Sequence, residues 1–190
     1  MESTWWKPAA NDLSDPEARG PDQNLTQERN IGMKEEYVNS FLSPAQLVWK
    51  KELGQDLSVA SAEVVSHQFT TDDITAIIGV SGRLEGNVLY GWTEESAIKV
   101  VSTMIGEELE DLRTDLALSA LGEIANMITG NAATLLAQAG FPCQISPPVI
   151  VETRGSRFTI MGSTQILVSF VSPLASLSVR ISLRETAVPD

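Results

Sequence analysis

The sequence has one cysteine and one histidine, and this shortage excludes several kinds of site. Cys143 has no second cysteine within the sequence to pair with, which favours a reducing compartment. It also lacks an arginine six residues later, so the loop of cysteine phosphatases is absent. His67 has no nucleophilic Ser or Cys in a suitable context. Because no group of His, Cys and carboxylate residues has ligand spacing, we expect no metal site in this chain.

Basic residues are also scarce, with 13 Lys and Arg against 25 Asp and Glu, which gives a net charge of −12. Such a charge argues against nucleic acid and against an anionic membrane surface as partners. No apolar run approaches the roughly eighteen residues that span a membrane. The first twenty residues contain no apolar core of a secretory signal. We therefore expect a cytoplasmic protein without a nucleic-acid or membrane partner.

The chain divides into a tail and a domain. Residues 1–32 are rich in Pro, Asn, Asp, Gln and Gly and show no periodicity, which predicts a disordered tail. Trp5 and Trp6 are unusual there; variation at the start of the gene is the favoured interpretation, and a docking peptide within the tail is the alternative. From residue 33 onward the pattern becomes periodic, and we expect one folded domain over 33–190.

The domain has the order helix, three strands, two helices, then three or four strands. Pro44 predicts a kink in the first helix, or a second part capped by Ser43. Thr93 and Gly106 are expected to begin and end the second helix, and the third runs from about Thr114 to Gln138. Three further features complete the prediction: Gly54 ends the first helix, strands fill 56–92, and Ser81-Gly82 forms a tight hairpin turn. Since no βαβ alternation occurs, the fold class is α+β, with helices packed on an antiparallel sheet.

The last strand alternates strictly between apolar and polar residues. Leu177, Val179, Ile181 and Leu183 face one way, and the residues between them face the other. This pattern predicts a half-buried antiparallel strand. We expect residues 176–185 to lie at a sheet edge.

The third helix carries a polar stripe in the segment "ALGEIANMITGNA". At about 100° per residue, the stripe collects four residues on one face: Ser119, Glu123, Asn126 and Gly130. The opposite face is apolar and includes Ala117, Leu121, Ile128, Ala132 and Leu135. Gly122 and Gly130 remove side-chain bulk beside the stripe, so a partner could approach the helix closely.

An ordinary exposed helix face would also show a glutamate and an asparagine, and that interpretation stays open. Against it, the two glycines and Asn126 together destabilise the helix by about 2–3 kcal/mol relative to alanine. This is a large part of the stability of a typical domain.

This segment resembles the CheC/CheX/FliY family of chemotaxis phosphatases. The family pattern has Ser or Asp, then Glu, then Asn, and a Pro just over twenty residues later. Ser119, Glu123, Asn126 and Pro148 match it here. The opening helix "EYVNSFLSPAQLVW" is also similar, and the likeness covers roughly residues 33–185. No second Glu-x-x-Asn occurs in "SPAQLVWKKELG", which favours the CheX branch over members with two copies.

The resemblance implies hydrolysis of the phospho-aspartate of CheY or a similar response-regulator receiver domain. Asn126 would position the attacking water with its amide, and Glu123 would pair with the receiver's active-site lysine. Ser119 would add a hydrogen bond, and Pro148 would shape the segment beside the helix. The chain would need no cofactor of its own, since receiver domains carry their own Mg²⁺.

Two further expectations come from the resemblance. CheX-like proteins form homodimers through their sheets, so we expect a homodimer here. A non-catalytic adaptor with the same fold, binding a receiver or a flagellar-switch protein, stays open as the alternative function. The intact Glu123 and Asn126 favour the enzyme.

Overall fold

A computed structural model describes residues 34–65, 67–112, 114–152, 155–160 and 164–186. The predicted disordered tail, 1–32, lies outside the described residues. The helices are α1 (Glu35–Leu53), α2 (Glu94–Ile105) and α3 (Asp115–Gln138). The strands are β1 (Ser58–Val65), β2 (Gln68–Thr70), β3 (Ile74–Gly82), β4 (Leu84–Trp92), β5 (Cys143–Ile145), β6 (Val149–Glu152), β7 (Arg157–Thr159), β8 (Gln165–Val171) and β9 (Ser176–Glu185).

Local signals fix the helix ends where the sequence predicts them. The Thr93 side chain accepts a hydrogen bond from the backbone N–H of Ser96, and the Thr114 side chain caps α3 in the same way. Gly54 and Gly106 end α1 and α2 in the left-handed conformation that glycine tolerates. Pro44 lies inside α1, which is one helix, so the predicted two-part helix capped by Ser43 is wrong.

The sheet is antiparallel, with strand order β1-β8-β9-β4-β3-β5. β5 pairs with the end of β3, and β6 pairs with the beginning of the same strand. β9 therefore lies in the middle, between β8 and β4. The prediction that residues 176–185 form a sheet edge is wrong, because their alternation reflects the two faces of a central strand. Among the described strands, β1 is the edge on one side.

The β3–β4 connection is longer than the predicted tight turn. The ladder between the two strands closes at Val80 and Gly86. Ser81 and Gly82 continue β3 and pair with β5 instead. Ser81 and Gly82 therefore form the end of β3, where the strand pairs with β5 and no longer with β4.

The helices cover one face of the sheet, and the core lies between them. Tyr90 on β4 and Thr129 on α3 join the layers through a buried hydrogen bond of 2.8 Å between their hydroxyl groups. Trp49 and Trp92 are fully buried in the same layer. On the opposite face, β2 pairs with β7 as a separate two-stranded sheet. Within the described residues, no helix has the length and apolar character needed to cross a membrane.

Candidate functional site

The polar stripe of α3 forms one wall of an open groove of about 490 Å³. The opposite wall comes from Pro148 and from Ile150 on β6. The α3 residues that line the groove are Asp115, Leu118, Ser119, Gly122, Glu123 and Asn126. The structure thus brings together five of the six residues that the sequence pattern selects.

Glu123 and Asn126 lie on the accessible side of α3. Glu123 is exposed and Asn126 is partly exposed, one helical turn further along. In the part of the chain that the structure describes, neither side chain forms a hydrogen bond or an ion pair. Both are therefore available to groups of another molecule that enters the groove. Ser119 is exposed one turn before them and is likewise available.

The position of Pro148 follows from hydrogen bonds in the short β5–β6 connection. The Ser146 hydroxyl accepts a hydrogen bond from the Gly79 N–H at 2.9 Å, and the Ser146 N–H donates to the Gly79 carbonyl. β6 then pairs with β3, with Val149 opposite Ile77. These contacts hold the connection against β3 and direct Pro148 toward α3.

Gly122 packs against the opposite wall of the groove, which belongs to this chain. It is buried, and a Cβ added there would stand 3.3 Å from Cγ of Pro148 and 3.6 Å from Cδ1 of Ile150. The close approach over Gly122 is therefore made by this chain's own groove wall. Gly122 still lines the groove, and the approach of a partner beside it stays a prediction.

Gly130 does not line the groove, although it belongs to the same stripe of the helix. It is partly buried, and a Cβ there would only touch Cδ1 of Ile145 at 4.0 Å. On the opposite side of α3, Ala117, Leu121, Ile128 and Ala132 are buried as predicted. Leu135 is exposed, which corrects the prediction for the last turns, where Leu136 enters the core instead.

The groove is acidic and has an apolar neighbour. Among the described residues, the charged ones that line it are Asp115 and Glu123, and both are carboxylates. Leu116 is 63% exposed and lies three residues before Ser119 and seven before Glu123, on the same face of α3. The sequence analysis missed both Asp115 and Leu116. The signal was their helical spacing from the stripe.

The arrangement can position groups but holds no evident nucleophile beyond the Ser119 hydroxyl. A carboxylate only accepts hydrogen bonds or pairs with a cation, whereas an amide both donates and accepts. Within the described ranges, no group of three or more His, Cys, Asp or Glu side chains is arranged to hold a metal ion.

A second Glu-x-x-Asn does exist, at Glu36 and Asn39 in the first turns of α1. It lies just before the stretch in which the sequence analysis looked for a copy. Both residues are exposed, but neither lines the groove, and Glu36 lies 4.0 Å from the ammonium group of Lys34. This second copy of the pattern therefore lies outside the α3 groove.

Comparison with known proteins gives consistent results. The family model for the chemotaxis phosphatase CheX matches residues 74–171. The chain is 32% identical over 125 residues to the CheY-P phosphatase CheX of Thermotoga maritima, covering 66% of this chain and 81% of that protein.

Two solved structures extend the likeness to the fold. The chemotaxis protein CheX of Vibrio vulnificus has a TM-score of 0.70 at 27% identity, covering 78% of this chain and 99% of that one. The CheX of Borrelia burgdorferi, crystallised as a complex with CheY, BeF3 and Mg²⁺, has a TM-score of 0.69 at 26% identity, covering 78% and 98%.

Proposed function

This chain belongs to the CheX family of chemotaxis phosphatases, and we propose that it hydrolyses the phospho-aspartate of a CheY-like receiver domain at the α3 groove. The observation that carries the proposal is that Glu123 and Asn126 lie side by side on one face of α3. Both line one groove, both are accessible, and neither has a partner among the described residues. The CheX of Borrelia burgdorferi, which was crystallised with CheY, supports a receiver as the partner.

In the proposed reaction, water attacks the phosphorus in line, its oxygen forms the new P–O bond, and the aspartate carboxylate leaves. Little covalent chemistry is asked of the protein, so positioning and charge complementarity dominate. The Asn126 carbonyl oxygen accepts a hydrogen bond from the water while its NH₂ donates to a phosphoryl oxygen. Glu123 pairs with the receiver's lysine, and the interface strengthens this pair by excluding water.

Ser119, Pro148 and Asp115 have supporting roles in this proposal. Ser119 offers a hydroxyl one turn from Glu123 for a hydrogen bond to the receiver. Pro148 forms the rigid wall that, packed over Gly122, keeps the groove open to one side of Asn126. Asp115 adds a second negative charge toward a basic receiver surface. Mg²⁺ enters with the receiver, and this chain supplies no ligand to it.

The location and assembly of the protein are also part of the proposal. A cytoplasmic location fits the single cysteine. We place the contact of a homodimer at β1, because β1 is the longest of the described edge strands and pairs only with β8. Val64 on β1 is 48% exposed and gives that edge an apolar side chain.

The decisive experiment follows the decay of a phosphorylated receiver with and without the protein. Replacing Asn126 with Ala should lower the rate constant by about 10²–10³-fold, the cost typical of losing one transition-state hydrogen-bond group. Binding to the BeF3-activated receiver should change little. Glu123→Ala should weaken both binding and hydrolysis.

Asn39→Ala is the matched control, since it removes an asparagine with the same spacing from glutamate but outside the groove. It should keep the wild-type rate. Hydrolysis that persists in Asn126→Ala would remove the amide from the mechanism. A wild-type protein that binds receivers without accelerating decay would establish the adaptor function instead.

A further inference from the structure

A second cavity, of about 230 Å³, lies on the sheet face that points away from the helices. Leu89 and Gly91 of β4 line it, whereas the intervening Tyr90 points to α3. The sheet supplies its floor, and the segment 69–72, which comprises the end of β2 and the start of the connection to β3, covers it. The cavity is thus separated from the α3 groove by the sheet itself.

The floor contains a row of small residues across four strands. Thr75 pairs with Gly91, Gly91 with Ser178, and Ser178 with Ser169. A Cβ at Gly91 would collide with the carboxylate of Asp72 and with the Ser178 hydroxyl. The glycine inside β4 therefore admits an acidic side chain onto the sheet.

Two opposite charges line the cavity. The Asp72 carboxylate accepts a hydrogen bond of 2.6 Å from Ser178. The Arg180 guanidinium lies 3.9 Å from the centre of the Phe69 ring and donates to Gln165 Oε1 at 3.3 Å. A guanidinium has five N–H donors, so this leaves donors for another acceptor. Asp72 and Arg180 both line the cavity and form no direct ion pair among the described contacts.

At least one buried polar group that lines the cavity lacks a hydrogen bond to the described residues. Burial lowers the pKa of Arg180, while the nearby charges of Asp72 and Glu63 raise it. Thr75 is only 2% exposed, and its hydroxyl has no hydrogen-bond partner among the described residues. Buried hydroxyl groups normally have a partner, and a missing one destabilises the fold. A bound polar molecule would supply it.

We propose that this cavity binds a small zwitterion, a free α-amino acid, with its carboxylate on Arg180 and its ammonium group on Asp72. Thr75 completes the hydrogen bonds, and Phe69, Leu89 and Leu167 contact the apolar part of the ligand. The volume exceeds the roughly 30 Å³ of one water and lies just below the roughly 300–1,000 Å³ of drug-sized sites. This size fits a molecule of a few heavy atoms.

The test compares alanine, glycine, serine and threonine with two fragments of alanine. Propionate lacks the ammonium group and ethylamine lacks the carboxylate. Each is added to the full-length protein at about 10 mM, and the melting temperature and backbone amide NMR shifts are recorded. A ligand at several times its Kd should raise Tm by about 2–4 °C and shift the amides of 69–72. The fragments should do neither.

Two variants test the assignment. Arg180→Gln removes the cation and should abolish the shifts. Thr75→Val exchanges the hydroxyl for a methyl group of similar shape; it should fold at least as well as wild type and bind the amino acid more weakly. Asn126→Ala, on the other side of the sheet, should bind as wild type does, whether or not the phosphatase proposal holds. No response to any of the four amino acids, an equal response to propionate, or full binding by Thr75→Val would overturn the proposal.

Discussion

Gly122 and Pro148 are in contact where the two walls of the α3 groove meet, with Cγ of the proline 3.3 Å from the place where a Cβ of residue 122 would stand. The helix and the β5–β6 connection are distant in sequence, and this contact sets the distance between the two walls. A glycine that weakens the helix by about 1 kcal/mol is retained at the point where the proline packs. The groove beside Asn126 therefore depends on a residue that contributes no side chain.

The two glycines of α3 should respond oppositely to alanine. Gly122→Ala forces Pro148 to shift by a few tenths of an ångström. Because positioning errors of this kind are costly, kcat/KM for the phosphorylated receiver should fall about tenfold. Gly130→Ala meets only Cδ1 of Ile145 at 4.0 Å, so it should raise stability by about 0.5–1 kcal/mol and leave the rate unchanged. Thermal denaturation and the decay assay measure both. Equal rates for the two variants would contradict the role given to the Pro148 contact.

Leu116 should contribute to binding the receiver. It is exposed on the same face of α3 as Ser119 and Glu123, and an exposed leucine beside a polar site adds apolar contact area. Leu116→Ala should raise KM several-fold, with kcat unchanged and stability within about 0.5 kcal/mol of wild type. Leu47→Ala on α1 is the control, since Leu47 is equally exposed, at 62%, and does not line the groove. A KM effect shared by both variants would argue against a specific contact at Leu116.

Both tyrosines of the chain should resist ionisation while the protein is folded. Burial, with a hydrogen bond to Glu185, raises the pKa of Tyr37 to about 12, and burial raises the pKa of Tyr90. Because these values exceed the unfolded value of about 10, the stability they contribute is complete below pH 10 and is lost as the pH rises toward 12. Absorbance near 295 nm should therefore show little tyrosinate at pH 10 while the protein is folded.

Tyr37→Phe separates the two contributions. It should lower stability at neutral pH by about 0.5–1.5 kcal/mol, through loss of the hydrogen bond to Glu185, and make the decline above pH 10 shallower. Tyrosinate absorbance at pH 10 in protein with a native circular dichroism spectrum would contradict this prediction.

The β1 edge should carry the homodimer contact. The wild-type chain of 20.5 kDa should sediment at micromolar concentration as a dimer. Val64→Lys places a charge on the edge strand and should yield monomers, since edge lysines prevent strand pairing. Val171→Lys is the control, because Val171 is 47% exposed but belongs to β8, which already has a partner on each side. A monomeric wild type would exclude the homodimer. Dimers in Val64→Lys would place the contact elsewhere.

The features that the sequence predicted well are the local ones. The caps at Thr93 and Thr114 depend on a side chain and a backbone N–H three residues away, and the burial of β9 depends on simple alternation. The polar stripe of α3 follows from helical geometry in the same way. The α+β class and the family resemblance are both confirmed.

Two incorrect predictions are local, the break of α1 at Pro44 and the burial of Leu135. The others concern contacts between segments that are distant in sequence. Nothing near residues 176–185 in the sequence indicates that β4 and β8 lie on either side of β9. Ser81-Gly82 has the composition of a turn, but its pairing partner, β5, follows α3 in the sequence. The contact of Gly122 with Pro148 joins α3 to the β5–β6 connection and was not predicted, because the sequence does not place Pro148 against the helix. The contact of Asp72 with Gly91 depends on register and was equally beyond a sequence pattern.

The central place of β9 also has a consequence for biosynthesis. Synthesis completes β9 last of the described strands, although β9 is the strand that joins the β1–β8 pair to the β4–β3–β5 group. Until Ser176–Glu185 has left the exit tunnel, the two halves share no strand-to-strand hydrogen bonds along the sheet's main order. We expect nascent chains stalled before residue 176 to be protease-sensitive and to bind chaperones.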